Sequence, residues 1–182
     1  RWAPFATACV LAGGRGIRMR GQDKLLLSFS GERLLSRMAR HLSTRFTDLV
    51  AVSSRPEVFS GLGYRVVPDS YTDAGPIAGL HAALVAARSE WVYLLACDMP
   101  FFSAAWVDSL ESAIASSGSG PVAAAARAGR HFEPFHAMYH RSLANSIENA
   151  FAAGGKAPSI QSVVRMQPAL LLEAPDLSLI HI

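Results

Sequence analysis

Short, mostly apolar runs at 7–12, 49–53, 64–67 and 91–96 recur along this chain, and the stretches between them place apolar residues at helical spacing. Runs of four to six residues suit single strands and are too short for helices. Between them, Leu34, Leu35, Met38 and Leu42 form one stripe of a helix over 33–44. Ile77, Leu80 and Leu84 repeat the pattern after Pro76, a residue tolerated at the first helical position. A further helix carries Trp106, Val107, Leu110 and Ile114, with Ser103 placed to cap it. Apolar strands alternating with helices predict an α/β fold whose mostly parallel sheet is covered on both faces. Beyond Pro121 the pattern continues less regularly, with strands at 122–126 and 135–139 and a helix at 143–152. Residues 116–121, Ser-Ser-Gly-Ser-Gly-Pro, read as a surface loop, and no internal repeat is visible.

At 182 residues the chain has the size of one domain. A domain of that size buries roughly 70% of the surface its unfolded chain exposes, so it needs no scaffold of disulfides or metals. With 51% hydrophobic and 17% charged residues, the composition is that of a folded chain. No apolar stretch approaches the ~20 residues of a membrane helix, so no membrane partner is expected. The opening segment 1–12 resembles a signal peptide but leads into Gly13-Gly14 and arginines rather than a cleavage site. A net charge of +3 and a pI near 9.2 are too mild for a nucleic-acid surface. The excess is local, at Arg15, Arg18, Arg20 and Lys24, which suits a small polyanion. Cys9 and Cys97 lack CxxC spacing and read as buried thiols in a reducing cytoplasm.

The segment 11–24, Leu-Ala-Gly-Gly-Arg-Gly-Ile-Arg-Met-Arg-Gly-Gln-Asp-Lys, carries the strongest chemical signal. Glycines directly after a buried strand let backbone N–H groups approach a phosphate, and Arg and Lys compensate its charge. Gly13, Gly14, Arg15, Arg18 and Lys24 are therefore expected to hold a polyphosphate, with Arg18 and Lys24 acting in catalysis. It is not a P-loop: Gly16 and Gly21 have that spacing, but Gln22-Asp23 stands where Lys-Ser/Thr is required. It is not a dinucleotide fingerprint either, because Ile17-Arg18-Met19 follows Gly14-Arg15-Gly16. Asp98, just past the run 91–97, is a carboxylate at a strand tip, where Mg²⁺ is typically held together with substrate phosphates. In the segment 68–80, Asp69 can hydrogen-bond a base or sugar, and Gly75 and Gly79 leave room beside a helix. Ligands of such folds bind at the carboxyl ends of the strands, where these three segments are expected to converge. His136 and His140 are four apart but lack the glutamate of HExxH and fall in a strand-like stretch, so they read as ordinary histidines.

The loop 11–24, the segment 69–79 with Gly75-Pro76-Ile77-Ala78-Gly79, and Cys97-Asp98-Met99-Pro100 together resemble the molybdenum cofactor guanylyltransferases of the MobA family. Glu133-Pro134-Phe135-His136-Ala137-Met138-Tyr139 looks like that family's Pro-containing strand, and the resemblance runs from about 6 to 161. It implies a three-layer α/β/α Rossmann-like nucleotidyltransferase fold. It also implies transfer of GMP from GTP to the phosphate of molybdenum-bearing molybdopterin, with Mg²⁺ as cofactor, in the cytoplasm, and contact with other proteins of molybdenum cofactor biosynthesis. By matching positions, Leu11, Ala12 and Gly13 would line the guanine pocket, Lys24 would meet the triphosphate, Asp69 would lie against the nucleoside, and Asp98 would hold the metal.

Three departures stand out. Arg20 replaces a glycine usual after Arg-Met, Val52 and Ser53 stand where relatives often carry asparagine, and the family's C-terminal Asn-x-Asn-Thr-Pro segment has no counterpart. Residues 1–176 are expected to form one domain, with 177–182 reading as translated sequencing adapter; the native C-terminus is then expected to be missing, and Arg1 suggests the same of the N-terminus. The alternatives are a sister enzyme that transfers CMP, a sugar-phosphate nucleotidyltransferase, and a GTP-binding module without turnover. Gly14 discriminates the first, since cytidylyl relatives usually read LAAG there.

Overall fold

A computed structural model of the chain describes residues 3–13, 18–19, 22–29, 31–118 and 120–173, those at 18, 19, 22–24 and 29 by backbone alone. Its central element is β1 (Thr7–Leu11), whose residues 7–10 are buried. β1 pairs in parallel with β6 (Asp48–Val52) on one side and β8 (Trp91–Ala96) on the other. β7 (Arg65–Val67) extends the sheet beyond β6, again in parallel. On the other flank β10 (His131–His140) pairs antiparallel with both β8 and β9 (Ala123–Ala128), and β11 (Ala169–Leu172) lies parallel to β9. The order is β11-β9-β10-β8-β1-β6-β7, so β10 is the one reversed strand of the seven. Two small ribbons, β2 (Arg18–Met19) with β3 (Gln22–Asp23) and β4 (Ser28–Phe29) with β5 (Glu32–Arg33), lie outside it.

Strand side chains alternate between two apolar layers, as the period-2 geometry of a strand requires. Ala8 and Val10 of β1, with Tyr93 and Leu95 of β8, meet Leu35, Met38 and Leu42 of α1 (Leu34–Leu42). The same layer receives Trp106, Val107, Leu110 and Ile114 of α3 (Ala104–Ser116). Cys9, Val92 and Leu94 face the other way, against α2 (Pro76–Ala86), α4 (Leu143–Ala152) and α5 (Ile160–Val164). The α/β/α layering and mostly parallel sheet follow the sequence pattern. Ser103 caps α3 as expected, accepting from the Trp106 N–H at 3.2 Å.

The strand expected at 135–139 is longer, His131–His140, because a register shift between Glu133 and Met138 lets it pass a kink. His136 sits at that kink with φ +49°, fully buried, its carbonyl accepting from the Trp106 indole at 2.7 Å. The Tyr93 hydroxyl lies 2.8 Å from His136 Nδ1, and His140 Nδ1 lies 2.8 Å from the Ser142 hydroxyl. Both histidines thus make hydrogen bonds within the fold. Cys9 is buried, which raises its thiol pKa, whereas Cys97 is half-buried because it lies just past β8 rather than within it. Neither forms a disulfide.

At the amino ends of the strands, Asp48 is clamped. Arg65 donates to it twice, at 2.8 and 2.9 Å, the Thr7 hydroxyl donates at 2.9 Å, and the Arg88 N–H at 3.3 Å. Burial alone would raise the Asp48 pKa; the Arg65 and Thr7 hydrogen bonds outweigh it and hold the carboxyl below the ordinary range.

Candidate nucleotide site

Beyond the last regular pairings, the carboxyl ends of four strands stay knitted together. The Cys97 N–H donates to the Leu11 carbonyl, the Ala12 N–H to the Val52 carbonyl and the Ser53 N–H to the Val67 carbonyl, each at 3.0 Å. The chain runs outward from β1 to β6 and β7, then returns to β8 on the opposite side of β1. That reversal makes β1 the topological switch point, where open α/β sheets place their ligands.

Asp69 and Asp98 flank this point. Asp98 is half-buried, in a turn closed by the Met99 N–H on the Ala96 carbonyl at 3.0 Å, directly after the Cys97–Leu11 bond. Asp69 lies two residues past β7, and neighbouring strands lie about 5 Å apart, so β7 stands about 10 Å from β1. Its carboxylate nevertheless reaches over the end of β6. A Cβ placed on Gly13 would lie 3.1 Å from Asp69 Oδ2, and one placed on Gly79 would lie 3.4 Å from Oδ1. Asp69 is exposed as a residue, yet partial burial of its carboxyl between these glycines raises its pKa. A carboxylate whose pKa is raised by its surroundings is a common mark of a binding site.

The two glycines of the segment 68–80 therefore have different jobs. A Cβ on Gly79 would meet Leu11 Cδ2 at 2.9 Å, so its bare backbone accommodates Leu11. Gly75 faces open space, and what it supplies is φ +75° at the N-cap of α2. Leu11 is half-buried at the end of β1, Ala12 is buried and Gly13 is exposed, so the chain reaches the surface at Gly13. Gly14 and Arg15 lie outside the described residues, as do the side chains of Arg18 and Lys24; the backbone of Lys24 opens a short 3-10 helix, Lys24–Leu26.

Ser53 is buried, and its hydroxyl is engaged with the backbone, 3.4 Å from the Ala12 carbonyl and 3.1 Å from the Arg55 N–H that donates to it. This short side chain thus fastens β6 to the segment after β1. The sequence marked the position only as a departure, since a serine carries no signal for such a tie. Among the described residues no helix is long and apolar enough to cross a membrane.

Residues 8–169 match the MobA-like NTP transferase domain family. A probable molybdenum cofactor guanylyltransferase of Peptoclostridium acidaminophilum is 37% identical over 147 residues, covering 79% of this chain and 66% of that protein. The molybdenum cofactor guanylyltransferase of Pseudomonas syringae pv. syringae is 35% identical over 177 residues, covering 95% of this chain and 86% of its own length. Among solved structures, molybdopterin-guanine dinucleotide biosynthesis protein A from Archaeoglobus fulgidus superposes with a TM-score of 0.74 at 24% identity, covering 92% of this chain and 83% of that one, and so shows the same fold. With a switch point flanked by Asp69 and Asp98 and a family match over nearly its whole length, this chain belongs to the MobA-like NTP transferase domain family.

Proposed function

We propose that this chain transfers GMP from GTP to the terminal phosphate of molybdenum-bearing molybdopterin, forming the guanine dinucleotide cofactor and pyrophosphate. The observation that carries the reading is the Asp69 carboxylate lodged against Gly13 and Gly79 at the end of β1, with Asp98 on the other side of that strand. In this reading Leu11, Ala12 and Gly13 line the base pocket and Asp69 meets the nucleoside. Gly75 and Gly79 shape the adjoining wall, and Gly14, Arg15, Arg18 and Lys24 meet the triphosphate.

The Asp98 carboxylate suits a divalent cation. Among the described residues no group of three or more His, Cys, Asp or Glu side chains could hold a metal. An ion that takes one carboxylate and completes its shell with substrate phosphates, as Mg²⁺ does, fits that donor set. When bound, it would supply positive charge for the α-phosphate and the departing pyrophosphate. The chain's own residues orient the reactants: a terminal oxygen of the acceptor phosphate attacks the α-phosphorus, and the bond to the β-phosphate's bridging oxygen breaks. Arg18 and Lys24 stabilise the charge that builds on those oxygens. No covalent enzyme intermediate is required. The setting is cytoplasmic, and contact with other proteins of molybdenum cofactor biosynthesis would deliver the acceptor.

Thermal unfolding with GTP, CTP or ATP and Mg²⁺ tests the base. GTP at about 100 times its dissociation constant should stabilise the fold by roughly 2.7 kcal/mol, and CTP and ATP by much less. A larger shift with CTP would make it a cytidylyltransferase. GTP-dependent pyrophosphate release that requires molybdopterin separates an enzyme from a binder.

Gly79→Ala should raise the KM for GTP by roughly tenfold with a smaller change in kcat, because the new methyl displaces the Leu11 side chain at the base pocket. Steady-state kinetics with GTP varied would check it, and an unchanged KM would show that this packing does not shape the nucleotide site.

A further inference from the structure

Asp69 is carried by a connection, 68–75, and not by a strand or helix. Such a segment keeps a carboxylate in place only if something fastens it. The Tyr71 ring stacks on Phe151 of α4, with centroids 3.9 Å apart and planes 16° apart. It also meets the His81 ring of α2 edge-on at 5.2 Å. His81 is buried, and its Nε2 lies 2.9 Å from Oε1 of Glu148, three residues before Phe151 on α4. Tyr71 is two residues along the chain from Asp69, and His81 is two residues from Gly79, whose backbone abuts Asp69. The connection is therefore gripped from α2 and α4 together, close to the carboxylate by either path. Tyr71 and Phe151 also wall a cavity of about 390 Å³ between 70–74 and 154–158, so the ring stack stands at the border between the connection and that cavity.

We propose that Tyr71 is a positioning residue for the nucleotide site: its stack on Phe151 holds the Asp69 carboxylate in place against Gly13 and Gly79. This rests on the reading that Asp69 meets the nucleoside. The useful part of Tyr71 is its ring face, so phenylalanine serves there and alanine does not.

Titration calorimetry of GTP with Mg²⁺ on the full chain tests the idea. Tyr71→Ala and Phe151→Ala should each weaken GTP roughly tenfold, while Tyr71→Phe stays within about twofold of the parent. Asp69→Asn should weaken GTP as well, and Tyr71→Ala added to Asp69→Asn should cost nothing more, because the residue being positioned is already disabled. Strictly additive losses would reduce Tyr71 to a general packing residue, and a Tyr71→Ala chain that binds GTP as the parent does would overturn the proposal outright. If instead Asp69→Asn binds GTP normally, the nucleoside contact itself falls, and the positioning role falls with it. Should Tyr71→Ala fail to fold, Phe151→Leu removes the aromatic face while keeping apolar volume, and the same non-additivity with Asp69→Asn decides the matter.

Discussion

Asp98→Ala is expected to release pyrophosphate from GTP and the pterin acceptor about 10²–10³-fold more slowly than the parent chain, the usual cost of one preorganised charge-stabilising contact. Asp98 stands beyond the last hydrogen bond between β8 and β1, so its loss removes a charge from the ligand end without touching the ladder or either apolar layer. The melting temperature should therefore stay near that of the parent while turnover collapses. Lys24→Ala should lose turnover to a similar degree, since in the proposed reading it answers the same polyphosphate. Stopped assays with both substrates saturating, set beside thermal unfolding, separate the two effects. Near-normal turnover in either variant would remove the catalytic assignment.

The largest stability effect is expected at the opposite end of the sheet. Asp48→Ala leaves the Arg65 guanidinium without its carboxylate and the Thr7 hydroxyl without its acceptor. Breaking a buried pair typically costs 3–5 kcal/mol. The Arg65 side chain is 33% exposed and keeps the Ala86 carbonyl at 2.9 Å, so the loss should fall near about 3 kcal/mol. At this chain length that is a drop in melting temperature of about 6–12 °C. The sign of the pH dependence follows from the direction of the Asp48 shift. A carboxyl whose folded pKa is lowered contributes stability that is fully present above its unfolded value, near about 4, and lost as pH falls through the folded value. The gap between parent and variant should be complete at neutral pH and close in strong acid. Denaturant unfolding at pH 7 and below pH 4 would measure both, and a gap independent of pH would assign the loss to packing instead.

The parts of the fold that were legible in the sequence are those whose local pattern and tertiary role agree. β8 and α4 occupy 91–96 and 143–152 as read, because each pairs an uninterrupted pattern with a sharp boundary. Pro76 opens α2 as its fixed φ suggests. β11 and α5 were not legible. Ala169–Leu172 is four apolar residues among many, and it becomes a strand because the edge of β9 is there to receive it. α5 is only five residues long, held by a reciprocal Ser159–Ser162 cap that a serine pair does not announce. At the candidate site, the sequence singled out glycines and aspartates because phosphate and metal chemistry restrict residue type. That Asp69 crosses β6 to reach Gly13, and that Tyr71 seats on Phe151 some eighty residues away, depends on how the connection folds back, which no local spacing encodes.

The single reversed strand divides the molecule in a way that bears on how it comes apart. Within the sheet, β9 and β11 reach β8 through β10 and by no other strand. Loss of pairing along 131–140 would thus uncouple the outer two strands from the half that carries β1, Asp69 and Asp98, while leaving the β8-β1-β6-β7 ladder whole. Hydrogen exchange should then show two levels of protection, with 123–128 and 169–172 opening together below the temperature at which the central ladder yields.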